Sequence, residues 1–299
     1  MSAPQAGEAR SGGILGLGSV PPSLLVLCGI LSVQIGAGLA KGMFDRMPPS
    51  SIVVLRLAAS AVIVGFVVRR RLWRVVRGAS RRDLGAAAAL GGSLALMNFS
   101  IYQSLQHIPL GIAVTIEFLG PLSVAVIASR RPRDLVWAAL AFGGVVALAR
   151  DGGDVNVPGV LWALLAGLGW ALYIYAAAAA GRRLPGATGL ALASVIATAL
   201  VLPPGIVALH DAGWSVLTPE LLALGIGVGL LSSVVPYTLE LEALRRIPQG
   251  VFGILMSLEP AVAALVGVLL LGEHLSAVQW LAIGAVMLAC AGATRSARS

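Results

Sequence analysis

The sequence predicts an all-α membrane protein of ten transmembrane helices, arranged as two five-helix halves of inverted topology with both termini cytoplasmic. Three observations predict it. The 299-residue chain is 58% hydrophobic and only 11% charged, against about 25% charged in soluble domains, and its mean hydropathy is +0.93. Its apolar residues gather into runs of about 18 or more, the length that crosses a bilayer. Finally, IPLG (108–111) followed by Pro121 returns as IPQG (247–250) followed by Pro260 at the same spacing, each after an aromatic-bearing segment with Tyr102 or Tyr237. That sets span 4 against span 9, and a unit with an odd number of spans re-enters the membrane upside down.

The elements follow in order. Residues 1–21 begin Gly/Ser-rich and read as a disordered cytoplasmic segment. Span 1 (22–44) is too long for a signal-peptide core and reads as retained; Gln34 lies near its middle and Lys41 near its outer end. Span 2 (51–68) carries Arg56 about two turns in from the outer surface, and the link RRRLWRVVRGASRRD (69–83) holds seven arginines. Span 3 (84–105) has Asn98, Tyr102 and Gln103 in its outer half, and span 4 (111–128) has Glu117 and Pro121. Span 5 covers 134–150. Span 6 (157–180) places Trp170 and Tyr173 on one helix face. After span 7 (187–209), span 8 (219–243) ends with Glu240 and Glu242 near Arg245 and Arg246, read as a solvated interfacial salt bridge. Span 9 (250–271) carries Glu259 and Pro260, and Glu273 and His274 form a short outer turn that needs only an anchoring role. Span 10 (276–294) leads into a cytoplasmic tail, 295–299, so the two halves run 22–150 and 157–294.

Charge sets the orientation. The 69–83 link, Arg130, Arg131 and Arg133, Arg182 and Arg183, Arg245 and Arg246, and the terminal Arg10, Arg295 and Arg298 all fall on one side; Arg46 and Arg150 fall on the other. By the positive-inside rule the first side is cytoplasmic. The formal charge of +8 is thus a topology signal and gives no reason to expect nucleic acid. Trp73, Trp137, Trp162, Trp214 and Trp280 fall near span ends, as interfacial rings do. GLAKG (38–42) and GIGVG (225–229) match the small-residue pattern of close helix packing. Cys28 and Cys290 both lie in apolar runs, which argues for packing over a disulfide or metal site. No HExxH, GxSxG or P-loop pattern occurs, so neither an enzyme, a metal centre, a cofactor nor ATP driving is expected. No extramembrane segment is large enough for a signalling domain.

The ionisable residues inside spans carry the functional argument. Each costs roughly 2.5–3.5 kcal/mol on insertion scales and therefore faces a cavity or a partner. Glu117 and Arg56 sit at similar depths, so Arg56 or Lys41 is a candidate partner for Glu117, either as a structural ion pair or as part of a substrate path. Pro121 cannot pair with the Glu117 carbonyl four residues earlier, and irregular backbone at that depth suits a cavity lining. SLEP puts Glu259 beside Pro260, about one turn from the position matching Glu117. Asn98, Gln103 and Gln34 read first as interhelical hydrogen bonds, and Trp170 and Tyr173 as packing or cavity lining. Inverted halves with a midplane site are typical of secondary transporters.

Several stretches resemble the drug/metabolite transporter superfamily in its EamA-type branch. They are GLAKGMF, LRLAAS, MNFSIYQSLQHIPLGIAVTIEFLGPLSVAVIASRRP, GWALYI, PYTLELEALRRIP, and GILMSLEPAVAAL with LLLGEHLSAVQWLAIGAVMLACAG. The resemblance runs from about residue 29 through 292 and is sharpest to the bacterial inner-membrane threonine and homoserine exporters. It implies a ten-helix fold and secondary export of small polar amino acids. The physical argument supplies the candidate site. Glu117 would take the ammonium, Arg56 or Lys41 the carboxylate, and Asn98, Tyr102, Trp170 and Tyr173 the cavity wall. Alternating access is the expected mechanism, and inward proton movement, with Glu117 and Glu259 as carriers, the candidate coupling. Another amino acid, a purine-like metabolite, or a cationic or aromatic drug is the alternative cargo.

Overall fold

The computed structural model describes residues 19–129, 131, 134–150, 155–184 and 188–296. Residues 1–18 and 297–299, with Arg10, Arg130, Arg133 and Arg298, lie outside the described residues. Everything regular among the described residues is helical, with no strand. In hydrocarbon a helix satisfies its own backbone, and these apolar runs have no other way to do so.

The helices are α1 (Pro22–Lys41), α2 (Pro49–Gly78), α3 (Arg81–Leu105), α4 (Leu110–Glu117), α5 (Leu119–Ser129), α6 (Leu135–Arg150), α7 (Val157–Gly181), α8 (Thr188–Ala212), α9 (Pro219–Gly229), α10 (Val235–Leu244), α11 (Gln249–Met256), α12 (Glu259–Leu271) and α13 (Ala277–Ser296). Taking α4–α5, α9–α10 and α11–α12 as continuous runs, nine of the described segments are long and apolar enough to cross a membrane. The expected fifth span is the shorter apolar helix α6.

Two departures from the sequence expectation stand out. The arginine-rich link is largely helix: α2 runs on without a break through Arg77 to Gly78. The chain then turns, and Ser80 starts α3 with a capping box, its hydroxyl accepting from the Asp83 N–H while the Asp83 carboxylate accepts from the Ser80 N–H. The second departure concerns where spans break, since irregular backbone was expected beside Pro121 and Pro260 but not in span 8. Span 4 breaks at Phe118 and span 9 at Ser257–Leu258, while span 8 passes through a π-helical turn, Leu230–Val234.

Packing joins the first part of the chain to the second. The α1 helix lies against α9–α10, α11 and α12; α7 lies against α3, α4 and α5; α2 packs on α8 and α9, α3 on α8, α4 on α12, and α6 on α13. Small residues allow the closest approaches. A Cβ on Gly120 would run into the backbone of Gly167, and one on Gly167 would stand 2.9 Å from the Glu117 carbonyl oxygen, so the break in span 4 rests directly on α7. The GLAKG and GIGVG motifs also sit at helix contacts, Gly38 against Val266 and Leu270, and Gly225 and Gly229 against Leu55 and Ala59.

Candidate functional site

A cavity of ≈ 310 Å³ opens between these helices. Its floor is built at the helix irregularities: Glu117 ends α4, Glu259 begins α12, and Ser232 lies in the π-helical turn. Of the sequence-derived candidates, Arg56, Asn98, Tyr102, Glu117, Trp170, Tyr173 and Glu259 all line this cavity. Pro121 and Pro260 stand in the first turns of α5 and α12, where a missing N–H is tolerated.

Lys41 lies elsewhere. Its Nζ is 2.6 Å from Glu273 Oε1 and donates to the Ile108 carbonyl at 2.7 Å. Glu273 also accepts the Leu110 N–H on both oxygens, at 2.9 and 3.1 Å, so a carboxylate caps the positive end of α4. The turn assigned only an anchoring role therefore ties together α1, α4 and α12. Of the two basic partners considered for Glu117, Arg56 alone shares its cavity, and no direct ion pair joins them. Arg56 Nη2 donates to the Ser232 carbonyl at 3.3 Å, and its guanidinium sits 5.5 Å from the Tyr102 ring centre.

Glu117 and Glu259 are 8% and 7% exposed. Gln34 Nε2 donates to Glu259 Oε1 at 2.9 Å. Asn98 spends one amide hydrogen on its own helix, at the Leu94 carbonyl, and Trp170 meets Phe118 edge to face with ring centres 4.8 Å apart. Gln103 bonds Ser50 Oγ instead, the interhelical role. Gln34 Oε1, Arg56 Nε, Tyr102 Oη, Ser232 Oγ and Glu259 Oε2 are all buried with no protein partner, and all five belong to residues lining this one cavity. An unpaired buried polar atom costs about 1–3 kcal/mol. Five such atoms border this one space.

Among the lining residues that sequence reasoning missed are Glu240, Tyr237 and Ser232. Glu240 and Glu242 were read as one interfacial pair, yet Glu242 alone meets Arg245 and Arg246, at 3.5 and 3.6 Å, while Glu240 lines the cavity. Tyr237, three residues earlier, shares the Glu240 face, and helical spacing could have revealed it. Ser232 had no comparable signal, because nothing in LLSSV announces a π-helical turn.

Over 280 residues the chain is 40% identical to the threonine/homoserine exporter RhtA of Escherichia coli (strain K12), covering 93% of this chain and 92% of that one. The EamA-like transporter family matches residues 157–295. The chain belongs to the EamA-like transporter family. RhtA of Salmonella typhimurium (strain LT2) is 41% identical over the same coverage. An uncharacterized transporter of Bacillus subtilis (strain 168), YwfM, is 34% identical over 173 residues, 56% of this chain and 57% of its own. One solved crystal structure superposes with a TM-score of 0.62 at 21% identity, covering 93% of this chain and 97% of the other, a likeness of fold alone. An EamA-like transporter is a multi-pass membrane protein and not an enzyme, in line with the many apolar helices here.

Proposed function

We propose that this EamA-like protein exports small polar amino acids of the threonine and homoserine kind across the bacterial inner membrane by alternating access. The observation that carries the reading is the cavity itself. One guanidinium and buried carboxylates face a common space fringed with unpaired polar atoms, as a zwitterion with a hydroxylated side chain requires. The name of the 40% identical relatives supplies the cargo class.

In this reading the chain has ten spans in two inverted halves, 22–150 and 157–294, between cytoplasmic segments 1–21 and 295–299. Two observations support it. The short helices Leu110–Glu117 and Gln249–Met256 have the same length and follow Pro109 and Pro248 at the same offset as Pro121 and Pro260. The packing also has exchange symmetry. Swapping the halves turns the contact of α1 with α9–α10 into that of α7 with α3, and α1 with α11–α12 into α7 with α4–α5. The pairs α2 with α8 and α6 with α13 map onto themselves.

Arg56 receives the substrate carboxylate, because a guanidinium fork suits it. Glu117 receives the ammonium, and Glu117 with Glu259 carries protons inward. Lys41, already held by Glu273, serves the outer closure instead. A cationic cargo is the second reading, favoured by the excess of carboxylates (Glu117, Glu240, Glu259) over the single Arg56 in the lining.

The test is efflux of preloaded labelled homoserine and threonine from cells expressing the chain or its Glu117→Gln variant. Accelerated efflux from the normal chain and none from the variant is expected. Equal efflux from both would reduce Glu117 to a structural residue. No acceleration, with the protein present in the membrane, would overturn the cargo.

A further inference from the structure

The arginine-rich end of the cavity has a chemistry of its own. Ser233, Pro236, Tyr237 and Glu240 follow the helical repeat along one face, all lining the space. Tyr173 of α7 faces them, within electrostatic reach of both Tyr237 and Glu240. Tyr237 is 39% exposed, against 1% for Tyr102 at the deep end. No hydrogen bond or ion pair reaches Glu240 among the described residues. Its basic neighbours are taken, since Arg245 and Arg246 both meet Glu242 and Arg246 Nη2 also donates to the Val20 carbonyl. The Glu240 stem lies along α1 at Gly29, where a Cβ would stand 3.5 Å from Glu240 Cγ.

We infer that Tyr173, Tyr237 and Glu240 form an entry subsite for the primary ammonium group of the substrate. Here the cation is gathered at the arginine-rich mouth before it reaches Glu117 and Glu259. A carboxylate flanked by two phenol rings suits an ammonium by direct charge and by the ring faces. The Glu240 carboxylate lies within electrostatic reach of Glu259, so the cation passes between negative groups, while the orphaned Glu259 oxygen deeper in the same cavity offers the next hydrogen bond. The inference rests on the reading of the chain as an amino-acid exporter.

Uptake of labelled homoserine by inside-out membrane vesicles tests it, because the cytoplasmic face is then bathed at known concentration. Glu240→Gln should raise the half-saturating concentration about tenfold with the maximal rate kept, as expected for one charged hydrogen bond lost. Tyr237→Leu should give a smaller rise, and Glu240→Asp should recover part of the loss. An unchanged half-saturating concentration overturns the subsite. So does a collapsed maximal rate at unchanged half-saturation, which would place Glu240 in proton movement. Binding of ethanolamine to the purified full chain separates this idea from the cargo assignment. If homoserine is not transported yet ethanolamine binding weakens in Glu240→Gln, the subsite stands and the cargo falls. Ethanolamine binding indifferent to Glu240 sinks the subsite.

Discussion

The two short helices α4 and α11 are equal in length and follow the same IP-x-G signal, yet their surroundings differ completely. All eight residues of α4 are buried; none of α11 is. The α4 helix is capped by Glu273 and packed through Gly111 onto Ala264 of α12, beside the core residues Leu105 and Ile108. The α11 helix begins just after Arg245 and Arg246, at the end where the cavity lining is most exposed. Equivalent parts in unequal environments are what an alternating-access protein displays when it rests with one face shut and the other open. In the proposed alternating-access cycle the Lys41–Glu273 side would be the shut face, and the opposite state would exchange the two environments.

The largest effect should come where the shut side rests on the backbone. Gly120→Ala drives a methyl into Gly167 and should cost about 3 kcal/mol of stability, read as a lowered unfolding temperature of the purified protein together with lost efflux. Normal stability would mean that the break in span 4 is not held by α7. A smaller effect follows from cutting the outer tie. Lys41→Met or Glu273→Gln removes charged hydrogen bonds worth about 1–3 kcal/mol, which should shift the population toward the outward-open state. The readout is labelling of Ala37→Cys, a cavity position, by a membrane-impermeant maleimide from outside, with Cys28 and Cys290 replaced. Labelling no faster than in the tied parent would leave the pair a mere anchor. The smallest effect belongs to the loose counterpart. At Gly253 an added Cβ meets a side-chain methyl, Thr294 Cγ2 at 2.9 Å, rather than backbone. Gly253→Ala should change stability by under about 0.5 kcal/mol, and a loss comparable to that of Gly120→Ala would erase the contrast.

Much of this was legible in the sequence. Hydropathy located the apolar helices, and the IP-x-G and proline spacing located both broken spans. Depth along a span brought Arg56 and Glu117 to one cavity. Depth is a single coordinate, however, and it says nothing of which way a side chain faces. Lys41 shares the depth range but meets a residue 232 positions away in a turn. Glu240 and Glu242 share a depth and point apart. Charge marked where α2 leaves the membrane, yet nothing in RRRLWRVVRG before its final glycine stops a helix, so the rod continues through what the sequence marked only as a link.

That continuity has a mechanical consequence. One unbroken helix carries Arg56 in the cavity and extends about twelve residues past the apolar span that ends at Phe66, a lever of ~18 Å. A tilt of about 10° at the cavity would swing its tip by ~3 Å over that length. A reporter dye near Gly78 would thus amplify the rocking of α2 into a movement large enough to follow in single molecules, without touching the substrate path.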